Sequence, residues 1–206
     1  MGADHCSLSN QPSSHSHSQP QPQAFSFPGT CGTVALSGAS SYWQVRCVAT
    51  PNPKIKDGRG LCEVGVATQQ ALQAYTGGPV SNTDHCALTA RIYTYSGQVR
   101  AEACYRNRVL TDTALFPHTP HSPVELTLGL LLDTAASRLH IFDVSATRVL
   151  WFSDIDLSTP VWPVVHVCPE KDNGARVHVE VQTGQQISLT GNMVRLLQSV
   201  LGRDSQ

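Results

Sequence analysis

One stretch of this chain alternates so regularly that it constrains the whole fold. Positions 124–133 read VELTLGLLLD. Aliphatic residues occupy every second position: Val124, Leu126, Leu128, Leu130 and Leu132. Side chains spaced by two share one face of a strand, so the stretch is predicted to be a buried strand of an antiparallel sheet. We expect Leu130 and Trp43, the aromatic of another strand candidate, to be buried on facing or adjacent strands.

The segments that follow are short apolar runs separated by turns. Residues 133–138 are mostly small and polar, so the run 139–144 is expected to fold back as a hairpin. A second turn leads to the run 149–152, and a last run spans 161–167. Further strand candidates lie at 42–48, 61–67, 87–95, 98–104 and 175–181. Together these patterns predict an all-β protein, built as a bent antiparallel β-sandwich.

The order and spacing of these runs resemble a known family. Four segments are similar to consecutive motifs of the SPRY domain: LGLLLD (128–133), LHIFDV (139–144), VLWF (149–152) and PVWPVV (160–165). Two upstream segments, SYWQV and CEVGVA, resemble further strands of that family. The resemblance covers roughly residues 32–181. It departs at Gln44, where the family usually has Glu, at Thr134, where it usually has an aromatic, and before residue 32, where no clear PRY-type first half is present.

The resemblance implies protein recognition through loops at one edge of the sandwich. SPRY domains bind peptide segments or partner surfaces there, and in tripartite-motif and B-box proteins they would form the substrate-reading part of a ubiquitin ligase or a signalling adaptor. By matched position, the binding residues would be Pro51, Asn52, Lys54, Tyr75, Tyr93, Tyr95, Arg106, Arg108, His166, Pro169, Glu170 and Lys171. Tyr and Arg are suited to anchor a partner. The alternative is that Tyr93 and Tyr95, which share a strand face, fill the core, and that Arg106 and Arg108 are solvated charges.

Composition divides the chain into three parts. Residues 1–24 are rich in Ser, Gln, His and Pro, so we expect a disordered tail whose removal leaves thermal stability unchanged. Residues 25–187 are expected to form the sandwich, and residues 188–206 a C-terminal helix and tail. In the sandwich, the proline-rich stretch 111–123 is predicted to be an irregular connection. The sequence Asp-Asn-Gly at 172–174 is predicted to be a hairpin turn.

The C-terminal part carries apolar residues at helical spacing. They are Met193, Leu196, Leu197, Val200 and Leu201. This spacing predicts a short amphipathic helix with Asn192 as its N-cap, which either covers a sheet edge or continues toward a partner. The second possibility supports a competing function, a scaffolding module that dimerises or docks to a flanking coil through this helix.

Charge and cysteine usage exclude several classes of protein. Charged residues make up 14% of the chain and its formal net charge is -1, so it lacks the basic footprint of a nucleic-acid binder. No apolar run is long enough for a membrane-spanning helix, and no secretion signal is evident, so a cytoplasmic location is expected. The seven cysteines include no C-x-x-C pair and are expected to be reduced thiols.

The sequence contains no motif for catalysis or for a cofactor. A nucleophile elbow, a glycine-rich phosphate loop and an H-E-x-x-H motif are all absent, so we expect neither enzymatic activity nor a cofactor. Two pairs of potential metal ligands remain. His15 and His17 have no further ligand nearby, and Asp154 and Asp156 are more typical of turn and capping acceptors. We therefore expect no metal site.

Overall fold

The computed structural model describes residues 6–9, 29–31, 35, 36, 38, 40–74 and 86–203. Within these residues, strands form two six-stranded sheets. Sheet A contains, in spatial order, β1 (Cys6–Ser9), β12 (Ala175–Thr183), β3 (Ser41–Pro51), β8 (Val124–Asp133), β9 (Arg138–Asp143) and β10 (Arg148–Asp154). Sheet B contains β2 (Gly29–Cys31), β11 (Val161–Val167), β4 (Arg59–Thr68), β5 (Ala87–Tyr95), β6 (Gln98–Tyr105) and β7 (Arg108–Pro117). Neighbouring strands are antiparallel and the sheets share one core, so the predicted antiparallel sandwich is confirmed.

Strand β8 lies at the centre of the core, as its alternation predicts. Its five aliphatic residues at alternate positions are all buried and pack with inward-facing residues of sheet B. Leu130 is 0% exposed and lies directly opposite Trp43 of β3, which is 4% exposed. The prediction that these two residues are buried on adjacent strands is confirmed.

The two hairpins that follow β8 are stabilised by aspartates at their turns. Asp133 Oδ1 accepts hydrogen bonds from the backbone N–H groups of Ala135, at 3.0 Å, and Ala136, at 3.2 Å. Asp143 Oδ1 accepts one from the N–H of Ala146 at 3.0 Å. Because each carboxylate satisfies donors that the ladder leaves unpaired, the chain reverses at the predicted positions and β8, β9 and β10 lie side by side.

The stretch 111–123 is only partly the irregular connection that we predicted. Strand β7 occupies its first half and pairs with β6 over its length. One proline ends the strand and the other two follow it, so none removes a donor from the middle of the ladder. The apolar pattern of β7 is weak because the strand lies at the edge of sheet B, where Val109 and Leu110 are exposed. Edge position therefore explains why the strand was missed.

The Asp-Asn-Gly sequence at 172–174 is not the hairpin turn that we predicted. Residues Glu170–Asn173 form a single helical turn, α2, which Gly174 ends in the left-handed conformation with a φ of 69°. The strands on either side, β11 and β12, belong to different sheets. The same residues that favour a hairpin also favour a helix C-cap, since both need a glycine at positive φ.

A strand lies within the N-terminal segment that we expected to be disordered. Residues 6–9 form β1, which pairs antiparallel with β12 at the edge of sheet A, and Leu8 packs against the core. The prediction rested on the low apolar content of the segment and was wrong for these residues. A short edge strand buries few side chains, so it can form in a segment with little apolar content. The other residues of the segment, with His15 and His17, lie outside the described part of the chain.

Deleting residues 1–9 is expected to lower the free energy of unfolding by about 1–2 kcal/mol, since the ladder with β12 and the packing of Leu8 are lost. Deleting residues 1–5 retains β1 and serves as the control. Chemical denaturation compares both with the full chain. Equal midpoints for all three proteins would show that β1 does not stabilise the sandwich.

The helices of the described residues are short. They are the α-helices α1 (Gln69–Gln73), α2 and α3 (Gly191–Arg203), and a 3₁₀ helix at Gly184–Gln186. None of them is long and apolar enough to cross a membrane, within the part of the chain that the structure describes. Helix α1 packs on the outer face of sheet B through Ala71, against Ala67, Ala87 and Val164.

Helix α3 covers the outer face of sheet A and not one of its edges. The residues that form this contact include Met193 and Val200 of the helix and Leu131 and Phe142 of the sheet. Its N-terminus is capped by Thr190, whose Oγ1 accepts a hydrogen bond from the N–H of Met193 at 3.2 Å. Asn192, which we predicted to be the N-cap, lies inside the helix and accepts from Arg195. Val194 and Leu201 remain exposed.

Candidate functional site

Two connections meet at one end of the sandwich. The loop 52–58 follows β3, and the segment 168–174 joins β11 to β12 through α2. The N–H of Asn52 donates to the carbonyl of Gly174 at 2.8 Å, and the N–H of Lys56 donates to the carbonyl of Asn173 at 2.7 Å. Lys56 Nζ also donates to the carbonyl of Lys171 at 2.6 Å. These bonds hold the two connections together, and we call this end of the sandwich the loop end.

The loop 52–58 is also fixed to the rest of the fold. Ile55 is buried in the core, and its N–H donates to the carbonyl of Pro120 at 2.8 Å. The N–H of Gly58 donates to the carbonyl of Thr94 at 2.6 Å. A loop that is bonded on several sides changes little on binding, so the loop end is preorganised.

A cavity of about 400 Å³ opens beside the loop end, on the outer face of sheet B. Strands β4, β5, β6 and β11, which lie side by side in this sheet, contribute most of its lining. The lining residues are Gly58, Arg59, Gly60, Cys62, Glu63, Arg91, Tyr93, Glu102, His166, Val167, Cys168 and Asp172. Its size falls in the range typical of ligand pockets.

A row of polar side chains crosses four strands at the cavity. His166 of β11 lies opposite Glu63 of β4, Glu63 lies opposite Arg91 of β5, and Arg91 lies opposite Glu102 of β6. Arg91 Nη1 is 3.6 Å from Glu102 Oε2, and Glu63 Oε1 accepts a hydrogen bond from Thr89 Oγ1 at 2.7 Å. Directly opposed side chains are about 5 Å apart, so the row forms a continuous chain of polar groups, of which Glu63, Arg91 and Glu102 are the charged members.

The environment of the row determines the charge of its histidine. Glu63 is 3% exposed and His166 is 6% exposed. Burial lowers the pKa of His166, and the nearby Glu63 carboxylate offsets part of this effect. A pKa below the usual value of about 6.5 leaves the imidazole mostly neutral at pH 7. The guanidinium of Arg91 is therefore the main positive charge in the row.

The ring of Tyr93 stands beside this row. Burial and a hydrogen bond to Asp112 raise the pKa of Tyr93, while Arg100 acts in the opposite direction. Arg100 and Asp112 form an ion pair with an Nη2–Oδ2 distance of 2.8 Å. The hydroxyl group is thus held by a charged pair on β6 and β7, which restrains the aromatic ring at the cavity.

The cysteines around the cavity are poor nucleophiles. Burial raises the pKa of Cys168 to about 11, so its thiol is protonated at neutral pH. A hydrogen bond with Cys47 and burial raise the pKa of Cys62. Among the cysteines whose side chains the structure describes, five are free thiols, as expected: Cys47, Cys62, Cys86, Cys104 and Cys168.

The structure brings nine of the predicted binding residues to the loop end. They are Pro51, Asn52, Lys54, Tyr93, Tyr95, His166, Pro169, Glu170 and Lys171. Tyr93 and His166 line the cavity, and the Asn52 side chain donates to Glu170 Oε1. Tyr95 is 54% exposed and Tyr93 is half-buried on the outer face of the sheet, so neither fills the core.

The remaining predicted residues lie elsewhere. Arg106 and Arg108 are exposed at the opposite end of sheet B, and the guanidinium of Arg106 lies 5.1 Å from the ring centroid of Tyr105. Along β6, Tyr105 is about 17 Å from Arg100, which pairs with β5 near the cavity. These arginines therefore do not belong to the cavity. Tyr75 lies outside the described residues.

Several residues that line the cavity were not among the binding residues predicted from the sequence. They are Arg59, Glu63, Arg91, Glu102 and Asp172. Glu63, Arg91 and Glu102 each interrupt a strand that is otherwise largely apolar or small, and this signal was available in the sequence. It did not show that the three residues adjoin, because their separation depends on the order of the strands in the sheet.

The described residues contain no group of three or more His, Cys, Asp or Glu side chains placed to hold a metal ion. Asp154 forms an ion pair with Arg138, with a distance of 2.9 Å between Nε and Oδ1. Asp156 Oδ1 accepts a hydrogen bond from the N–H of Ser158 at 2.9 Å, and hydrogen bonds with Ser158 lower the pKa of Asp156. For Asp156, the predicted role as a turn acceptor is confirmed.

Comparison with known proteins yields similarity in structure only. No protein-family model matches the sequence, and no curated protein matches it. Similar solved structures include the TRIM65 PSpry domain, at 14% identity over 81% of this chain and 73% of that chain, with a TM-score of 0.49. The SPRY domain of human HERC1 is 14% identical over 79% of this chain and 86% of that chain, with a TM-score of 0.47. The metal-free carbohydrate recognition domain of Emp46p is 7% identical over 80% of this chain and 81% of that chain, with a TM-score of 0.52. The last likeness shows a similar fold alone, and the two with TM-scores below 0.5 do not bear on function.

Proposed function

We propose that this chain is a non-catalytic protein-interaction module that binds a peptide segment of its partner at the loop end. The observation that carries this proposal is the cavity of about 400 Å³ beside two connections that hydrogen-bond to each other. The motif resemblance to the SPRY family supports the same function. It also supports a finer proposal, that the bound segment belongs to a substrate of a ubiquitin ligase or to a partner of a signalling adaptor.

The geometry of the loop end suits the recognition of an extended segment. A restrained loop loses little conformational entropy on binding, and Tyr93 offers a partly buried aromatic surface of the kind found at binding hot spots. The polar row offers directed polar contacts that would orient a ligand in the concave site. Glu170 and Lys171 extend the surface beyond the cavity on α2.

The location of the site is tested with peptides selected from a displayed random library. Tyr93→Ala is expected to weaken the binding of a selected peptide by about 1–3 kcal/mol, because an aromatic anchor is lost from the cavity. Arg108→Ala, at the opposite end of sheet B, is the control and should leave the affinity unchanged. Fluorescence anisotropy measures both affinities, and thermal unfolding verifies that both variants fold. A loss confined to Arg108→Ala would place the site at the opposite end.

A further inference from the structure

We propose that the cavity selects a basic side chain, arginine or lysine, from the bound segment. This inference rests on the proposed function, because it names the chemistry of the residue that enters the cavity. It is carried by the charges that line the cavity and by the position of Tyr93 among them.

The lining of the cavity carries more negative than positive groups. Three carboxylates, Glu63, Glu102 and Asp172, face two guanidinium groups, Arg59 and Arg91. Glu63 and Glu102 are largely removed from water, with Glu63 3% exposed and the side chain of Glu102 16% exposed. Electrostatic interactions are stronger where water is excluded. An incoming cation therefore gains more here than at an exposed surface.

The positive groups of the cavity are poorly placed to receive an anion. Arg91 lies between Glu63 and Glu102 in the cross-strand row and forms an ion pair with Glu102. Its charge is thus already compensated by carboxylates on both sides. Arg59 is exposed at the start of β4, where water screens its charge. His166 is buried beside Glu63 and adds a neutral ring to the wall. An acidic side chain would meet the buried carboxylate of Glu63 and the half-buried carboxylate of Glu102.

Tyr93 adds an aromatic surface for a cation. Its hydroxyl interacts with Arg100 and Asp112, so the ring is restrained beside the carboxylates of the row. A guanidinium or ammonium group near an aromatic face is attracted by the negative potential of the ring. Arginine has the advantage that its planar group can stack on the ring and bond to a carboxylate at the same time.

The rim of the loop end carries charges of both signs. Lys54, Lys56 and Lys171 are exposed on the two connections, where Asp57 is also exposed and Glu170 is half-buried. The excess of carboxylates is therefore a feature of the cavity, and the selection applies to the side chain that enters it.

The test is a double-mutant cycle on the full chain with a peptide selected from a displayed random library. The peptide is synthesised with its basic residue and with glutamine at that position. Glu102→Gln is expected to lower the affinity for the basic peptide about tenfold or more and to have little effect on the affinity for the glutamine peptide. Asp172→Asn, at a half-buried residue that α2 contributes to the cavity lining, is a second variant in case Glu102→Gln does not fold. The matched control is Glu125→Gln, because Glu125 pairs with Arg46 on sheet A, away from the cavity.

The outcomes separate this inference from the proposed function. Selected peptides that share a basic residue and lose affinity with Glu102→Gln or Asp172→Asn, but not with Glu125→Gln, support it. Two outcomes would overturn the inference and leave the peptide site intact, provided that binding depends on Tyr93. In the first, the selected peptides share acidic or apolar residues. In the second, they bind equally to all three carboxylate variants. Binding that is insensitive to Tyr93→Ala, or the absence of any binding peptide, overturns both.

Discussion

Replacement of Leu130 by alanine is expected to lower the free energy of unfolding by about 2–5 kcal/mol, the usual cost of a large-to-small change in a packed interior. Leu130 is completely buried and lies opposite Trp43 in the centre of the core that the two sheets share. The removal of its isopropyl group leaves a void between neighbours that belong to both sheets. Those strands cannot collapse into the void without breaking their hydrogen-bonded ladders. The loss of unfolding free energy should therefore lie well above that for deletion of a single methylene group. Chemical denaturation with a two-state fit measures it.

The control for this experiment is Glu125→Ala on the same strand. Glu125 and its ion-pair partner Arg46 have side chains that are 60% and 43% exposed, so the pair contributes less than about 1 kcal/mol. Both substitutions keep the helix and strand composition of the protein, and only the first removes core volume. A loss below about 0.5 kcal/mol for Leu130→Ala would contradict the register of β8 against β3.

Replacement of Gly174 by alanine is expected to destabilise the protein by more than about 2 kcal/mol and to disturb the loop end. Gly174 ends α2 with a φ of 69°, where an L residue costs about 1–2 kcal/mol. A Cβ at this position would also lie 2.2 Å from the carbonyl oxygen of Lys54. The contact is with backbone, so it is relieved only if the loop 52–58 moves away from the segment 168–174. We therefore expect both a lower unfolding midpoint and a weaker peptide affinity.

The variant Gly58→Ala separates the cost of a positive φ from the cost of the steric contact with the Lys54 carbonyl. Gly58 has a φ of 70°, close to that of Gly174, but a Cβ there would meet no atom within 4 Å. Its substitution should cost about 1 kcal/mol from backbone conformation alone. Denaturation curves of the two variants, measured side by side, isolate the effect of the contact with Lys54. Equal losses in the two variants would mean that the loop end relaxes without cost and is not rigid.

Local pattern was sufficient to predict most of the strands. The alternation in β8 and the aspartates of its two hairpins are short-range signals, since a residue and its turn partners lie within a few positions of each other. Helix α3 was predicted for the same reason, from apolar residues at helical spacing. The pattern failed where an element is exposed or very short. Strand β7 has an exposed edge, and β1 has only four residues.

The loop end was partly predicted through the family resemblance, and the cavity was not. Asn52, Tyr93, His166 and Glu170 were named from matched positions, and the fold brings them to one end of the sandwich. Arg106 was named in the same way but lies at the opposite end of sheet B. Strand β6 starts beside Tyr95 at the loop end and runs to the other end of the sheet, where Arg106 follows it.

The sequence by itself determined the strands, the hairpins and the amphipathic helix, because these depend on residues that are close along the chain. Only the tertiary structure decided which strands that are distant along the chain lie side by side. Glu63, Arg91, Glu102 and His166 come from four strands spread over more than a hundred positions, and they form one row because sheet B places β11 beside β4, β4 beside β5 and β5 beside β6. The pairing of β11 with β4 is non-local and is set by burial of both sheets in a common core, which no local pattern of the chain encodes.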